Sequence, residues 1–289
     1  MNGRAKAPAA GTVLNALATG VGSAFAIDAY TTADVSLDDT GNVRGKIEGV
    51  PDADTRLIER CVEVVLESAD EGSSADEPSS LGATVRTESD VPMASGLKSS
   101  SAAANATVLA TLSALDTEME REDACRLGVQ AAREVGVTAT GAFDDASASM
   151  LGGVTVTDNG RDELLARDEV SWDVLVWTPP EQAFSADADV SRCQRVAPIA
   201  DLVADLALDG DYGRAMTVNG FAFCGALGFP TDPLLSALPD VDGVSLSGTG
   251  PSFVAVGGRG VLEAVQERWK SLEGTTWLTT TQTDGTRTI

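Results

Sequence analysis

The chain of 289 residues contains no histidine. This absence excludes a Ser-His-Asp or Cys-His catalytic apparatus and the usual histidine-dependent zinc hydrolase sites. Acid–base chemistry would then depend on carboxylates, lysine or hydroxyl groups. The cysteines are widely spaced, with no Cys-x-x-Cys pair: Cys61, Cys125, Cys193 and Cys224. They predict neither a disulfide framework nor a zinc site, and they favour a reducing compartment, which we take to be the cytoplasm.

Positive charge is also scarce. The sequence has 20 basic residues against 44 acidic ones, and its formal net charge is −24. Only four of the basic residues are lysines, Lys6, Lys46, Lys98 and Lys270. Nucleic acid and anionic membranes are therefore poor partners, and no apolar run is long enough to span a bilayer. Acid excess combined with few lysines resembles proteins of salt-loaded cytoplasms, so we expect the fold to need screening by salt.

The segment from Pro92 to Ala102, Pro-Met-Ala-Ser-Gly-Leu-Lys-Ser-Ser-Ser-Ala, is the first candidate site. A predicted strand precedes it and an alanine-rich helix follows it. Gly96 would allow close approach of an anion, and the first turn of the helix would offer unpaired N–H groups. Three consecutive serines could cap the helix, bind phosphate or hold magnesium. A serine-capped helix after an ordinary turn is the alternative.

Hydrophobic periodicity predicts strands and helices along the whole chain. The predicted strands are Ala29–Leu37, Gly82–Glu88, Gly152–Thr157, Trp172–Thr178, Val244–Leu246, Phe253–Val256 and Thr275–Thr281. The predicted helices are Thr55–Ser68, Ala102–Leu115, Glu118–Val135, Val190–Leu208, Tyr212–Leu227 and Val261–Trp269. The polar, acidic stretch Ala69–Ser80 is predicted to be an exposed loop.

A second candidate site follows the third helix. Asp144 and Asp145 lie in a small-residue segment between Gly141 and the Gly152-Gly153 pair. These aspartates could cap a helix, or one could lie near a reacting hydroxyl with its neighbour near a metal. Glu134 could reach the same magnesium site, or be a solvated surface residue.

Two further segments complete the candidates. Ser247-Gly248-Thr249-Gly250-Pro251-Ser252 could be a hairpin connection, or could pack under the Pro92–Ala102 loop and close a nucleotide site. Near the N-terminus, Arg4 and Lys6 are two residues apart and would share one face of a strand. That face could bind an anionic substrate or could be a solvated edge.

The three small-residue segments together resemble the signature segments of the GHMP kinase superfamily, named for galacto-, homoserine, mevalonate and phosphomevalonate kinases. The first of these segments, Pro92-x-x-x-Gly96-Leu97-x-Ser99-Ser100-x-Ala102, matches most clearly. The chain also lacks the Gly-x-x-x-x-Gly-Lys-Ser/Thr motif of the unrelated P-loop kinases. At a finer level the sequence resembles the archaeal-type shikimate kinases. The segments that carry this resemblance are Lys6–Val13, Asn15-Ala16, Ala24–Asp28, Gly96–Ser101 and Thr140–Ala146.

The resemblance implies an α+β fold with a ribosomal-protein-S5-like N-terminal half and a ferredoxin-like C-terminal half, here residues 1–155 and 156–289. It implies that ATP and Mg²⁺ are used to phosphorylate shikimate in the biosynthesis of chorismate and aromatic amino acids. A small molecule would be the partner, and the protein would be a monomer or a homodimer.

The resemblance also implies roles for particular residues. Catalysis is expected from Asp144, Asp145 and Lys98. Nucleotide binding is expected from Pro92, Met93, Ala94, Ser95, Gly96, Leu97, Lys98, Ser99, Ser100, Ser101, Ala102, Gly248, Thr249 and Gly250. Arg4, Lys6, Asn15 and Asp144 are expected to contact the substrate, and Ser100 and Glu134 are expected to hold magnesium.

One departure from the family pattern affects these roles. Mevalonate kinases carry a lysine just after an N-terminal Ala-Pro-Gly, where it pairs with the aspartate, whereas this chain has Pro8-Ala9-Ala10-Gly11-Thr12. Lys6 or Lys98 could supply the missing charge. The alternatives are a homoserine or mevalonate kinase, a decarboxylating enzyme of the same fold, and a nucleotide-binding module without catalysis.

Overall fold

The computed structural model describes residues 1–50, 52–71, 81–138, 141–181 and 189–289. Its strands are β1 (Asn2–Leu14), β2 (Val21–Asp38), β3 (Val43–Ile47), β4 (Gly82–Ser89), β5 (Val154–Asp158), β6 (Glu163–Asp168), β7 (Asp173–Thr178), β8 (Gly243–Leu246), β9 (Phe253–Gly257), β10 (Thr275–Thr280) and β11 (Arg287–Thr288). Its α-helices are α1 (Arg56–Glu71), α2 (Ser99–Ala114), α3 (Arg121–Glu134), α4 (Phe143–Leu151), α5 (Val190–Cys193), α6 (Ala197–Leu208), α7 (Tyr212–Leu227), α8 (Asp232–Ala237) and α9 (Arg259–Trp269).

The first sheet has seven strands, and the long strand β2 organises it. One side of β2 pairs antiparallel with β1. On its other side, the first part of β2 pairs with β5 and the later part with β4. The order β11-β1-β2-β4-β3 is completed by β6 beside β5. Gly20 ends the turn after β1, and β2 begins with Val21 directly after it.

Helix α2 crosses this sheet with apolar residues on all sides, and most of its residues are buried. Such a helix is expected in the core rather than at a surface. It packs so closely on β1 that a Cβ atom at Gly3 would lie 2.0 Å from the carbonyl oxygen of Ala110. Helices α1, α3 and α4 surround it and share its hydrophobic core. The sheet and these neighbours therefore fix the position of the first turn of α2.

The second sheet is antiparallel, with the order β10-β7-β9-β8. Its strands follow one another in the chain as strand, helices, two adjacent strands, helix and strand, which is the ferredoxin-like arrangement. Two apolar clusters hold it in place. One joins β7 and β9 to β1, β2, α6 and α7, and the other packs the sheet against α7, α8 and α9.

The division of the chain differs from the predicted one. A boundary after residue 155 would cut through β5, which pairs with both β2 and β6 in the first sheet. The chain passes to the second sheet only between β6 and β7, and its last strand, β11, returns to pair with β1. The division therefore follows from hydrogen-bond pairing between strands, which keeps β5, β6 and β11 in the first sheet.

Most predicted elements are recovered, but β2 begins at Val21 rather than at the predicted Ala29, and two further differences stand out. The helix predicted over Val190–Leu208 is interrupted by a 3-10 turn, Gln194–Val196, before α6 begins at Ala197. Pro198 explains the break because it lacks an N–H group and fits only the first turn of a helix. The other difference concerns short elements that were not predicted: β3, β6, β11, α4 and α8. Helix α1 extends to Glu71, and the rest of the predicted loop Ala69–Ser80 lies outside the described residues.

Candidate active site

The loop before α2 contains three residues in the left-handed region of backbone conformation. Ala94, Gly96 and Lys98 all have positive φ, of 54°, 82° and 64°. The Ser95 hydroxyl donates to the Pro92 carbonyl oxygen at 2.8 Å, and the Ala10 N–H donates to the Leu97 carbonyl oxygen at 3.2 Å. These bonds join the loop to itself and to β1, so the positive-φ conformation is built into the fold.

The segment Ser247–Ser252 packs directly against this loop. The Ser247 hydroxyl donates to the Gly96 carbonyl oxygen at 2.8 Å, and the Ser252 N–H donates to the Ser95 carbonyl oxygen at 3.1 Å. A Cβ atom at Gly96 would lie 2.3 Å from the Ser247 carbonyl oxygen, so any side chain at position 96 would separate the two loops. Of the two alternatives, a hairpin connection or packing under the loop, the structure shows the packing.

Asn15 joins the end of β1 to the same corner. Its side-chain amide donates to the Gly248 carbonyl oxygen at 2.8 Å, and its backbone N–H donates to the Asn219 side-chain oxygen at 2.9 Å. The Gly248 N–H donates in turn to the Thr12 hydroxyl at 2.7 Å. Three segments far apart in sequence therefore meet beside the first turn of α2.

The hydrogen bonding of α2 starts after its serines. The first helical bond runs from the Ala102 N–H to the Lys98 carbonyl oxygen, at 3.0 Å. The N–H groups of Ser99, Ser100 and Ser101 precede that bond, and the positive end of the helix dipole lies there. A cavity of about 670 Å³ opens onto these serines. This end of the helix can therefore bind a phosphate group through backbone amides.

Lys98 supplies a cation at the same place. Its ammonium lies 2.6 Å from Asp145 Oδ1, and the two side chains are only 7% and 18% exposed. Low exposure strengthens this attraction compared with a surface pair. Lys6, the other lysine considered for this role, lies elsewhere. Of the two lysines considered, Lys98 is the one that lies beside the aspartates, whereas Lys6 lies over the Tyr30 ring.

Asp144 is the more deeply buried of the two aspartates, at 4% exposure. Its Oδ1 accepts a hydrogen bond from the Asn159 side-chain amide at 2.7 Å. The pKa of Asp144 is raised to about 7, mostly by burial and also by the neighbouring Asp145, while Lys98 and the Asn159 hydrogen bond oppose the rise. A carboxyl group with this pKa can exchange a proton near neutral pH.

The cavity brings most of the predicted site residues together. Its described lining includes both aspartates, Lys98 and residues of all three glycine-rich segments. The predicted residues that line it are Asn15, Met93, Ala94, Gly96, Lys98, Ser99, Ser100, Ser101, Asp144, Asp145, Gly248 and Thr249. Five predicted residues do not line the cavity: Ser95, Leu97, Ala102 and Gly250 are buried, and Pro92 is exposed.

Two predicted substrate contacts do not reach the cavity. Arg4 pairs with Asp34 at the surface, 3.2 Å away, and the Lys6 ammonium lies over the Tyr30 ring, 4.2 Å from its centre. Both side chains lie on the face of β1 opposite α2, because the intervening residues, Gly3 and Ala5, pack toward the helix core. The expectation that Arg4 and Lys6 contact the substrate is therefore corrected, because neither side chain lines the cavity.

The expected role of Glu134 as a magnesium ligand is also corrected. One of its carboxylate oxygens accepts from Arg60 at 2.5 Å and the other from Gln130 at 2.9 Å. The Arg60 guanidinium lowers the pKa of Glu134, and the carboxylate does not line the cavity. The pair joins α1 to α3 on the outside of the site, so Glu134 is not positioned to hold magnesium.

The residues around the site fit a magnesium ion that arrives with a nucleotide. Among the described residues, no group of three or more acidic, histidine or cysteine side chains could hold a metal by itself. Mg²⁺ typically keeps several waters and binds through substrate phosphates with one or two protein ligands. The Ser100 hydroxyl, on the cavity at the phosphate-binding end of α2, suits that role.

Sequence reasoning missed the residues that support Asp144. Asn159 contacts it through both its side-chain oxygen and its amide, although it lies 15 residues further along the chain. Gly22 lies against the other side of the carboxylate. Asn159 directly follows β5, and polar side chains at the end of a strand often contribute to a functional site. That position in the sequence is the signal that could have identified it.

The fold and the arrangement of loops at the start of α2 define the class of protein. The family model for the GHMP kinases N terminal domain matches residues 56–153. Homoserine kinase from Cytophaga hutchinsonii superposes with a TM-score of 0.74 at 17% identity, over 100% of this chain and 97% of that one. The mevalonate kinase of Methanococcus jannaschii gives 0.74 at 13% identity, over 98% of each chain. The fold is therefore that of the GHMP kinases.

Closer relatives define the family within that class. Shikimate kinase from Halobacterium salinarum is 62% identical over 291 residues, which cover 100% of both chains. Shikimate kinase from Methanosarcina mazei is 52% identical over 94% of this chain and 90% of its own. The protein belongs to the shikimate kinase family of GHMP kinases.

The positive φ at Lys98 gives a test that separates backbone from charge. Lys98→Gly and Lys98→Ala both remove the ammonium, but only glycine adopts this conformation without strain. We expect the glycine variant to be more stable than the alanine variant by about 1 kcal/mol. Both should lower turnover by roughly two powers of ten, since each loses the cation beside the phosphates. Urea unfolding and ADP release at high potassium chloride measure the two effects.

Each half of this comparison can fail independently. Equal stability of the two variants would contradict the left-handed conformation at position 98. Turnover like that of the unchanged protein would remove Lys98 from the catalytic group.

Proposed function

We propose that the protein is a shikimate kinase, which transfers the γ-phosphoryl group of ATP to the 3-hydroxyl of shikimate and releases ADP. The observation that carries this proposal is full-length identity of 62% to a shikimate kinase, in a chain whose aspartates and Lys98 line one cavity at the start of α2. The reaction would take place in the cytoplasm, with a small molecule as the partner. Within the described residues, no helix is long and apolar enough to cross a membrane.

Binding of the nucleotide follows from the first turn of α2. The amides of Ser99–Ser101 would hold the phosphates, and the Lys98 ammonium would offset negative charge on the transferred group. Magnesium, held by the nucleotide and the Ser100 hydroxyl, would neutralise phosphate charge. Because little covalent work is asked of the protein, positioning of the two reactants should supply much of the rate.

Asp144 is proposed to orient the attacking hydroxyl and to accept its proton. An aspartate of ordinary pKa, about 3.9, is a weak base for an alcohol. The raised pKa of Asp144, about 7, makes it a better match to proton transfer near neutral pH. Asp145 is proposed to hold Lys98 in place through their ion pair rather than to act as the base.

An acceptor panel tests the substrate. ADP release is measured at high potassium chloride with shikimate, homoserine or mevalonate as the acceptor, and with no acceptor as the control. We expect shikimate alone to raise ADP release, with one phosphorylated product per ADP and no carbon dioxide. Activity with homoserine or mevalonate instead would overturn the substrate, and carbon dioxide release would indicate a decarboxylase. No ADP release in any of these reactions, with ATP binding retained, would favour the nucleotide-binding module without catalysis.

Matched asparagine variants test which aspartate is the base. Asp144→Asn should lower turnover by roughly two or more powers of ten while ATP binding is retained. For the unchanged enzyme, kcat/KM should fall as the pH drops below about 7, because Asp144 is then protonated and cannot accept the proton. Asp145→Asn should keep an acidic limb but move it to lower pH, because the Asp145 charge raises the pKa of Asp144, and it should lose activity because Lys98 loses its partner. If instead Asp145→Asn abolishes the pH dependence, the assignment moves to Asp145.

A further inference from the structure

The geometry points to Asn159 as the positioning residue of Asp144: its amide donates to Oδ1 and so leaves Oδ2 as the oxygen that can take a proton. This inference rests on the proposed role of Asp144. Asn159 is 2% exposed and lies in the turn just after β5. It contacts Asp144 twice, through its amide at Oδ1 and through its own oxygen at the Asp144 N–H.

The direction of the Asn159 amide follows from chemistry. A backbone N–H can only donate, so the Asn159 atom that lies 2.9 Å from the Asp144 N–H must be the side-chain oxygen. The same oxygen accepts from the Thr157 hydroxyl at 2.9 Å. The NH₂ group therefore points at the carboxylate, where it can donate but cannot take a proton. Asp144 Oδ1 is consequently held as an acceptor.

The backbone of Asn159 is itself fixed from two directions. Its N–H donates to the Gly20 carbonyl oxygen at 2.9 Å, in the turn between β1 and β2. Its carbonyl oxygen accepts from Arg133 at 3.1 Å, and Arg133 is held by both carboxylate oxygens of Asp162, at 2.6 and 2.7 Å. Movement of Asn159 would break contacts with both α3 and that turn, so it is a rigid point of attachment for Asp144.

The second oxygen of Asp144 faces a glycine. A Cβ atom at Gly22 would lie 2.4 Å from Oδ2, so only glycine leaves room for that oxygen in its present place. With Oδ1 bound by Asn159 and Oδ2 lying over a residue without a side chain, the two oxygens have different surroundings. Protonation at Oδ2 leaves the Asn159 bond intact, whereas protonation at Oδ1 would turn two donors toward each other.

The charged groups acting on Asp144 are Asp145 on its own helix and Lys98 at the start of α2. The Arg133–Asp162 pair lies behind Asn159. Asn159 differs from these because it is neutral and stabilises the ionised form only through its hydrogen bond. Loss of that bond would therefore raise the pKa of Asp144, whereas a purely structural residue would leave it unchanged.

The test compares Asn159→Ala with Thr155→Val. Thr155 is a buried control on the neighbouring strand, whose hydroxyl contacts Ser147 and the Asp144 backbone oxygen but not its carboxylate. We expect Asn159→Ala to lower kcat by roughly one to two powers of ten and to move the acidic limb of the pH profile upward by about one unit. Thr155→Val should lower the melting temperature without moving that limb. Asn159→Ser replaces the alanine variant if alanine does not fold.

A second readout does not depend on the acceptor. The carboxyl ¹³C resonance of Asp144, followed through a pH titration without substrate, should show a higher midpoint in the Asn159 variant. In an Asp144→Asn background, Asn159→Ala should cause little further loss of kcat, because the group it positions is gone. An unchanged midpoint, or losses that multiply in the double variant, would overturn the positioning role. Failure of the acceptor panel with a shifted midpoint would instead contradict only the proposed reaction.

Discussion

The close contact between two loops determines the geometry of this protein's site. Gly96 lies so near the Ser247 carbonyl oxygen that a side chain could not be placed between them. The first loop belongs to the sheet built around β2, and the second lies between β8 and β9 of the ferredoxin-like sheet. Because the second sheet thus shapes the loop before α2, the amides of that helix depend on both sheets being in place. Lys98 follows directly, in a conformation that this contact helps to impose.

Charge is used differently in the site and at the surface. The chain carries a formal charge of −24, and most of its ion pairs involve well-exposed side chains whose contribution is small and screened by salt. The Lys98–Asp145 pair is the contrasting case, since it is largely buried beside a second buried carboxylate, Asp144. The Lys98 ammonium offsets the negative charge of Asp145, and burial raises the pKa of Asp144. The site can therefore hold phosphate in a strongly acidic protein.

Sequence reasoning identified the loop before α2 because glycine and serine have specific backbone uses there. It also singled out both aspartates and Lys98, and the structure brings these three side chains together at one cavity. It failed where a side chain's partner lies far away in sequence, as Glu134 does from Arg60. The spacing of Arg4 and Lys6 showed that they share a face, but only packing against α2 decides which face. Short exposed strands such as β3 carry too few apolar residues to be recognised.

The central claim is that the phosphates of a nucleotide bind the amides at the start of α2, beside Lys98. A crystal structure with a non-hydrolysable ATP analogue and magnesium tests it most directly. The account predicts phosphate oxygens at about 3 Å from the backbone nitrogens of the first turn, with the Lys98 ammonium beside the γ-phosphate. A triphosphate bound elsewhere, with this turn in contact with protein side chains only, would contradict it.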